Sequence, residues 1–139
     1  LRLGLDGTDK EIGNGFYGEA PLNQKYLIVG HEAIGIIKQI GKNTNGFEIG
    51  NYVVATVRRP DNCINCINGE SDMCITNNYT ERGIKGKNGY FTEYYVESPD
   101  YLVKIPNEIK NIAVMLEPFS IAEKAIIQIF KIQNNKCLY

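Results

Sequence analysis

Side chains able to bind a metal ion are gathered at a few points of the chain. The one histidine, His31, sits in Val29-Gly30-His31-Glu32-Ala33-Ile34-Gly35, with Glu32 directly after it. Neutral imidazole and carboxylate are both good zinc ligands, so this pair is either a metal site or two satisfied polar groups in an apolar strand. The flanking glycines let backbone or ligand approach closely. Leu5-Asp6-Gly7-Thr8-Asp9 ends an apolar stretch in two carboxylates around a glycine and a hydroxyl; a capped turn is the alternative reading. Glu117-Pro118 closes the apolar run 112–116, and there the alternative is a helix start, where proline and a carboxylate are both favoured. The densest group is Cys63-Ile64-Asn65-Cys66 followed by Cys74, three thiolates with two- and seven-residue gaps. They are close enough to wrap one ion in a closed, four-coordinate structural site, with buried free thiols as the alternative. Cys137 is distant, in an apolar terminal segment, and reads as a packing residue.

The elements that must carry these groups are strands first and helices last. Residues 1–5 read as a strand, and 7–15 as a short helical turn ending at glycines. Residues 26–40 form a β-branched stretch that Gly30 and Gly35 break into two strands with a tight bend. Residues 51–57 are another apolar strand, and 58–78 a polar, cysteine-rich loop without periodicity. Strands are expected again at 90–97 and 101–105. Residues 112–130 carry the i, i+3, i+4 spacing of a helix, interrupted by Pro118, and 136–139 could open one more strand. Such segregation predicts an α+β fold, mainly β with flanking helices around a partly antiparallel core.

The 139 residues suit one compact domain with an apolar core. A formal charge of −1 with interspersed signs points away from nucleic acid and from an anionic membrane surface. No apolar run is long enough to span a bilayer, and no charged-then-apolar leader precedes the domain. Crowded cysteines suit a reducing, intracellular, cytoplasmic setting. The first residue, Leu1, is not methionine, which hints at a piece of a longer protein.

Taken in order, Gly30-His31-Glu32 with Gly35, Gly50-Asn51-Tyr52-Val53-Val54, the cysteine cluster and Gly89-Tyr90-Phe91-Thr92-Glu93-Tyr94 resemble the zinc-dependent medium-chain dehydrogenases. Within that superfamily, several segments look like the archaeal glucose dehydrogenases. They are Arg58-Arg59-Pro60, Glu81-Arg82-Gly83-Ile84, the stretch from Ser98-Pro99-Asp100 to Lys104-Ile105-Pro106, and Glu117-Pro118 with Glu123-Lys124-Ala125. The resemblance covers nearly the whole chain. It implies a GroES-like catalytic domain over 1–135 with a cysteine lobe at about 58–80, and a nucleotide-binding Rossmann domain starting near 136–139. No G-x-G-x-x-G segment follows a strand here, so that second domain is expected to be absent from this chain.

The resemblance also implies roles. Asp6 stands where most members carry a zinc-binding cysteine, and oxygen is an acceptable zinc donor. His31, Glu32 and Glu117 match the other catalytic-zinc positions. Thr8 matches the hydroxyl that contacts the substrate oxygen, and Asp9 a carboxylate that orients the imidazole from behind. Glu81 and Glu117 match positions that bind sugar hydroxyls. The implied reaction is oxidation of an aldose such as D-glucose to its lactone, with hydride passing to NAD or NADP and zinc acting as a Lewis acid. The implied assembly is a homo-oligomer, a tetramer. In the lobe, Pro60 replaces the first of the four usual cysteines. Asp61 is the favoured oxygen donor in its place, and Asn78 lies where some relatives have a carboxylate. The alternatives are a polyol, alcohol or threonine dehydrogenase, or a zinc-binding module without catalysis.

Overall fold

The structure, a computed structural model, describes residues 2–42 and 44–136. Its main sheet joins β1 (Arg2–Gly4), β2 (Glu32–Ile36), β3 (Tyr52–Ala55) and β7 (Leu102–Ile105) in that order, every pair antiparallel. Because side chains alternate along a strand, the register sorts these residues into two cores. Ile34, Val54 and Ile105 face Ala113, with Val114 and Leu116 beside it. Ala33 and Ala55 face the fully buried Tyr90, with Tyr95 and Leu102 against it. A smaller sheet, β4 (Arg58–Arg59), β5 (Thr80–Arg82) and β6 (Gly86–Lys87), holds the cysteine-rich excursion at its base. Among the described residues the α-helices are α1 (Gly7–Gly13), α2 (Ile64–Ile67) and the long α3 (Leu116–Lys136). The expected class, mainly β with flanking helices, is the observed one.

Several elements differ from expectation. Residues 58–78 are not featureless, since they contain β4, α2 and a 3-10 turn at Ser71–Met73. Of the two strands expected over 26–40 only β2 forms. Gly30 takes φ +94°, which ends the extended run, and residues 26–31 remain irregular. The expected strand at 90–97 is irregular too, because the amides of Gly89, Tyr90 and Phe91 go to the carbonyls of Ile28, Gly30 and Val29 and not to a regular ladder. Pro118 does not interrupt α3. It is the third residue of that helix, where an amide has no intrahelical acceptor to lose. Lys136 is the last residue of α3, not the first of a strand; 137–139, and with them Cys137, lie outside the described residues.

Two devices fix the segment before His31. One is a set of glycines in mutual contact: a Cβ on Gly83 or on Gly89 would fall 2.3 Å or 2.2 Å from the Gly30 carbonyl oxygen. Only hydrogen in place of a side chain lets these three backbones meet. The other is a buried ion cluster. Glu97 binds Arg59 and, at 2.8 Å, the Nε of Arg82, whose remaining nitrogens bond the Asn88 carbonyl at 3.0 Å and the Val96 carbonyl at 2.5 Å. Burial alone would push the Glu97 carboxyl up, but the bonds and charges of the two arginines outweigh it and hold the group below the usual carboxylate range.

Two outcomes follow for stability. Gly83→Ala should cost about 2–4 kcal/mol, because the new methyl meets backbone and sits at φ +73°; a thermal unfolding scan of the whole protein measures it. Glu97→Gln should cost about 3–5 kcal/mol by leaving two buried guanidiniums short of a counter-charge. Since the folded-state pKa of Glu97 is depressed, its contribution is present above the unfolded carboxylate value and is lost as pH falls through the folded one. The wild type should therefore lose stability on acidification more steeply than the Gln variant, as urea titrations across that range would show.

Candidate metal centre and active site

Asp6 is placed by α1, which it caps: its Oδ1 accepts the amides of Thr8 at 2.8 Å and Asp9 at 3.2 Å. Asp9 returns a bond to the Asp6 amide, completing a capping box. The turn reading of Asp-Gly-Thr-Asp is thus realised, and the same turn aims the carboxylates. His31 enters from the other side at the start of β2 and is only 3% exposed. Its Nε2 lies 3.6 Å from Asp6 Oδ1 and its Nδ1 3.7 Å from Asp9 Oδ1. Asp9 is buried as well, and its Oδ1 accepts the Gly30 amide at 3.1 Å, so the glycine corner and the acid hold each other.

Glu32, also buried, pairs across the sheet with Gly4. A Cβ on Gly4 would come within 1.8 Å of Glu32 Oε2, so β1 must carry glycine there to leave room for the carboxylate. The donor atoms of Asp6, His31 and Glu32 all lie within 4.8 Å of one another. Burial raises the pKa of Glu32 against the opposing pull of His31, and the charges of Asp6 and Asp9 add to the rise. Glu117, half-buried at the start of α3, is raised by burial too, against His31 and with Glu32, Asp6 and Glu81 adding. Thr8 donates its hydroxyl to Asp6 Oδ2 at 3.3 Å.

This set fits a divalent ion. Donors about 2.0–2.2 Å from a tetrahedral ion stand roughly 3.3 Å or slightly more apart, close to the 3.6 Å between Asp6 and His31. The buried Nδ1 has no hydrogen-bond partner among the described residues, yet Asp9 stands beside it. A second cluster, Asp61 with Cys63, Cys66 and Cys74, likewise has its donors within 4.8 Å of one another. Asp61 Oδ1 accepts the Cys63 amide at 2.8 Å, and its Oδ2 accepts the Thr76 hydroxyl and the Cys74 thiol. These bonds, Thr76's first, depress the Asp61 pKa, whereas burial pushes the Cys66 thiol up to about 12. Among the described residues Asp61, and not Asn78, completes the four-donor set; Asn78 lines a surface cleft beside Tyr79.

The alcohol dehydrogenase GroES-like domain pattern matches residues 2–107. The chain belongs to that family. Every candidate metal-binding or substrate-binding residue except Glu117 falls within the matched span of this GroES-like domain. Over 136 residues it is 50% identical to the glucose 1-dehydrogenase of Methanocella arvoryzae, covering 96% of this chain and 38% of that protein. It superposes on the Haloferax mediterranei glucose dehydrogenase, solved with NADP, Zn and gluconolactone, with a TM-score of 0.84 and 37% identity, covering 94% of this chain and 37% of that one. The D-arabinose dehydrogenase of Sulfolobus solfataricus gives a TM-score of 0.63 at 30% identity, over 76% of this chain and 32% of that one. The chain therefore spans less than two-fifths of the length of these relatives. Among the described residues no helix is long and apolar enough to cross a membrane.

Sequence reasoning gave no role to Arg58, Glu97 or Thr76, and Arg58 entered only as part of the segment Arg58-Arg59-Pro60. Arg58 binds Glu81 through Nε at 3.0 Å and Nη2 at 2.7 Å, and Thr76 props Asp61. The available signal was the charge on Arg59, Arg82 and Glu97 in otherwise apolar or strand-forming surroundings. For the cysteine cluster, Asp61→Ala should weaken cobalt or zinc binding to the lobe by at least roughly tenfold. Loss of affinity in a competitive chelator titration of the whole protein, with the thiolate-to-cobalt absorption retained at saturation, is the expected result.

Proposed function

We propose that this chain is the catalytic part of a zinc-dependent sugar dehydrogenase that oxidises an aldose, D-glucose or a close epimer, to its lactone with NAD or NADP as hydride acceptor. The observation that carries this reading is the convergence of Asp6, His31 and Glu32 on one point with Asp9 behind the imidazole. The likeness to glucose dehydrogenases, one of them solved with Zn, NADP and gluconolactone, supports the metal, the cofactor and the substrate class. In this reading the catalytic unit covers about 1–135 with its lobe at about 58–80, and the nucleotide is held by another part of the whole protein.

Asp6, His31 and Glu32 would hold the catalytic zinc; Glu117, which is not among the donors gathered within 4.8 Å of one another, would orient what binds there. Zinc in this position supplies Lewis acidity toward a sugar hydroxyl. Asp9, 3.7 Å from Nδ1, would orient the ring of His31 from behind. The half-buried Thr8 hydroxyl would relay the proton that the sugar hydroxyl loses, accepting it as its own proton is handed on to water. Glu81 and Glu117 accept hydrogen bonds from the remaining hydroxyls and set which face of the sugar is presented. The lobe formed by Asp61, Cys63, Cys66 and Cys74 would hold a second, structural ion.

In the whole protein, Asp6→Ala and His31→Ala should each lower kcat/KM for glucose by at least roughly a thousandfold and reduce zinc content by one ion per subunit. Normal turnover and full zinc content in both variants would overturn the catalytic assignment. Equal turnover of simple alcohols and sugars by the wild type would instead favour an alcohol or polyol dehydrogenase.

A further inference from the structure

We infer that Arg58 is the positioning residue for the sugar-binding carboxylate Glu81 and ties it mechanically to the cysteine lobe, so that the state of the lobe sets affinity for the sugar. This rests on the reading of Glu81 as a sugar-binding group. Both nitrogens that Arg58 directs at Glu81 end on the same oxygen, Oε1. Oε2 is left without a donor among the described residues, available to a ligand hydroxyl.

The third nitrogen of Arg58, Nη1, donates to the Ser71 carbonyl at 3.0 Å. That same carbonyl accepts the Cys74 amide at 3.3 Å. One oxygen thus joins the guanidinium that holds Glu81 to the backbone of a thiol in the cysteine cluster. The Tyr79 ring lies 3.9 Å from the Arg58 guanidinium carbon, which removes the freedom to swing away. A planar guanidinium with separate donors can serve two acceptors in fixed directions, which an ammonium cannot do with the same geometry. If the lobe loses its ion, the turn at Ser71–Met73 loses the anchor at Cys74. Arg58 then loses one of its fixed points, and Glu81 its orientation.

The test is glucose binding to the whole protein without nicotinamide, by calorimetry, beside steady-state kinetics and zinc content. Arg58→Ala should raise the glucose Kd and KM roughly 10- to 100-fold, the loss of a charge-assisted contact, with kcat changed less than about threefold and zinc content unaltered. Arg58→Lys should fold in the same way, restore the charge and recover only part of the affinity. Cys66→Ser, which empties the lobe, should raise the Kd in the wild-type background and add little in the Arg58→Ala background. An unchanged Kd in Arg58→Ala, full recovery by Lys, or additive effects of Cys66→Ser and Arg58→Ala would each overturn the inference. A wild type that binds no glucose would remove the sugar reading itself, a distinct result.

Discussion

Negative charge crowds around one buried imidazole, and the rest of the fold is arranged to keep it there. Two unit charges 4–5 Å apart interact by roughly 3–4 kcal/mol at an effective dielectric near 20. Asp6, Asp9 and Glu32 stand around His31, and a cation among them would relieve their mutual repulsion. Glu32 and Glu117 respond by holding their protons to higher pH. Asp6, His31 and Glu32 would hold a divalent ion, whose positive charge would offset that repulsion and favour the deprotonated carboxylates.

Holding that cluster together requires backbone in places where side chains would not fit. Gly4 clears space for the Glu32 carboxylate, while Gly83 and Gly89 let two turns press against Gly30 just before His31. The Gly30 amide then points at Asp9, so a steric constraint becomes an electrostatic one. Glu97 locks the adjacent turn to the lobe side through Arg59 and Arg82. These contacts lie outside the proposed ligand set, yet each fixes the direction from which one of its side chains enters.

Much of this was legible in the sequence because it depends on local chemistry. The strands around Ile34, Val54 and Ile105 follow from alternation of β-branched residues. The Asp-Gly-Thr-Asp turn follows from its own capping, and the cysteine cluster from spacing alone. What was not legible depends on distant pairing. The strand pattern in 90–97 is irregular because its amides are drawn to Gly30 and Val29, some sixty residues away in the chain. Proline at 118 reads as an interruption until the helix start at Leu116 is known. Arg58, two residues before Pro60, looks like a strand-end charge, and only the folded register brings it beside Glu81. For His31 the sequence left core and ligand readings open; burial, an unpartnered nitrogen and the approach of Asp6 and Asp9 are tertiary facts.

The most direct test of the charge-cluster account is zinc-edge X-ray absorption of the whole protein with the lobe emptied by Cys66→Ser. Expected are only oxygen and nitrogen neighbours, at about 2.0–2.2 Å, from Asp6, His31 and a further carboxylate or solvent. Sulfur at about 2.3 Å, or no zinc retained at all, would contradict a catalytic ion bound by the carboxylates and imidazole around His31.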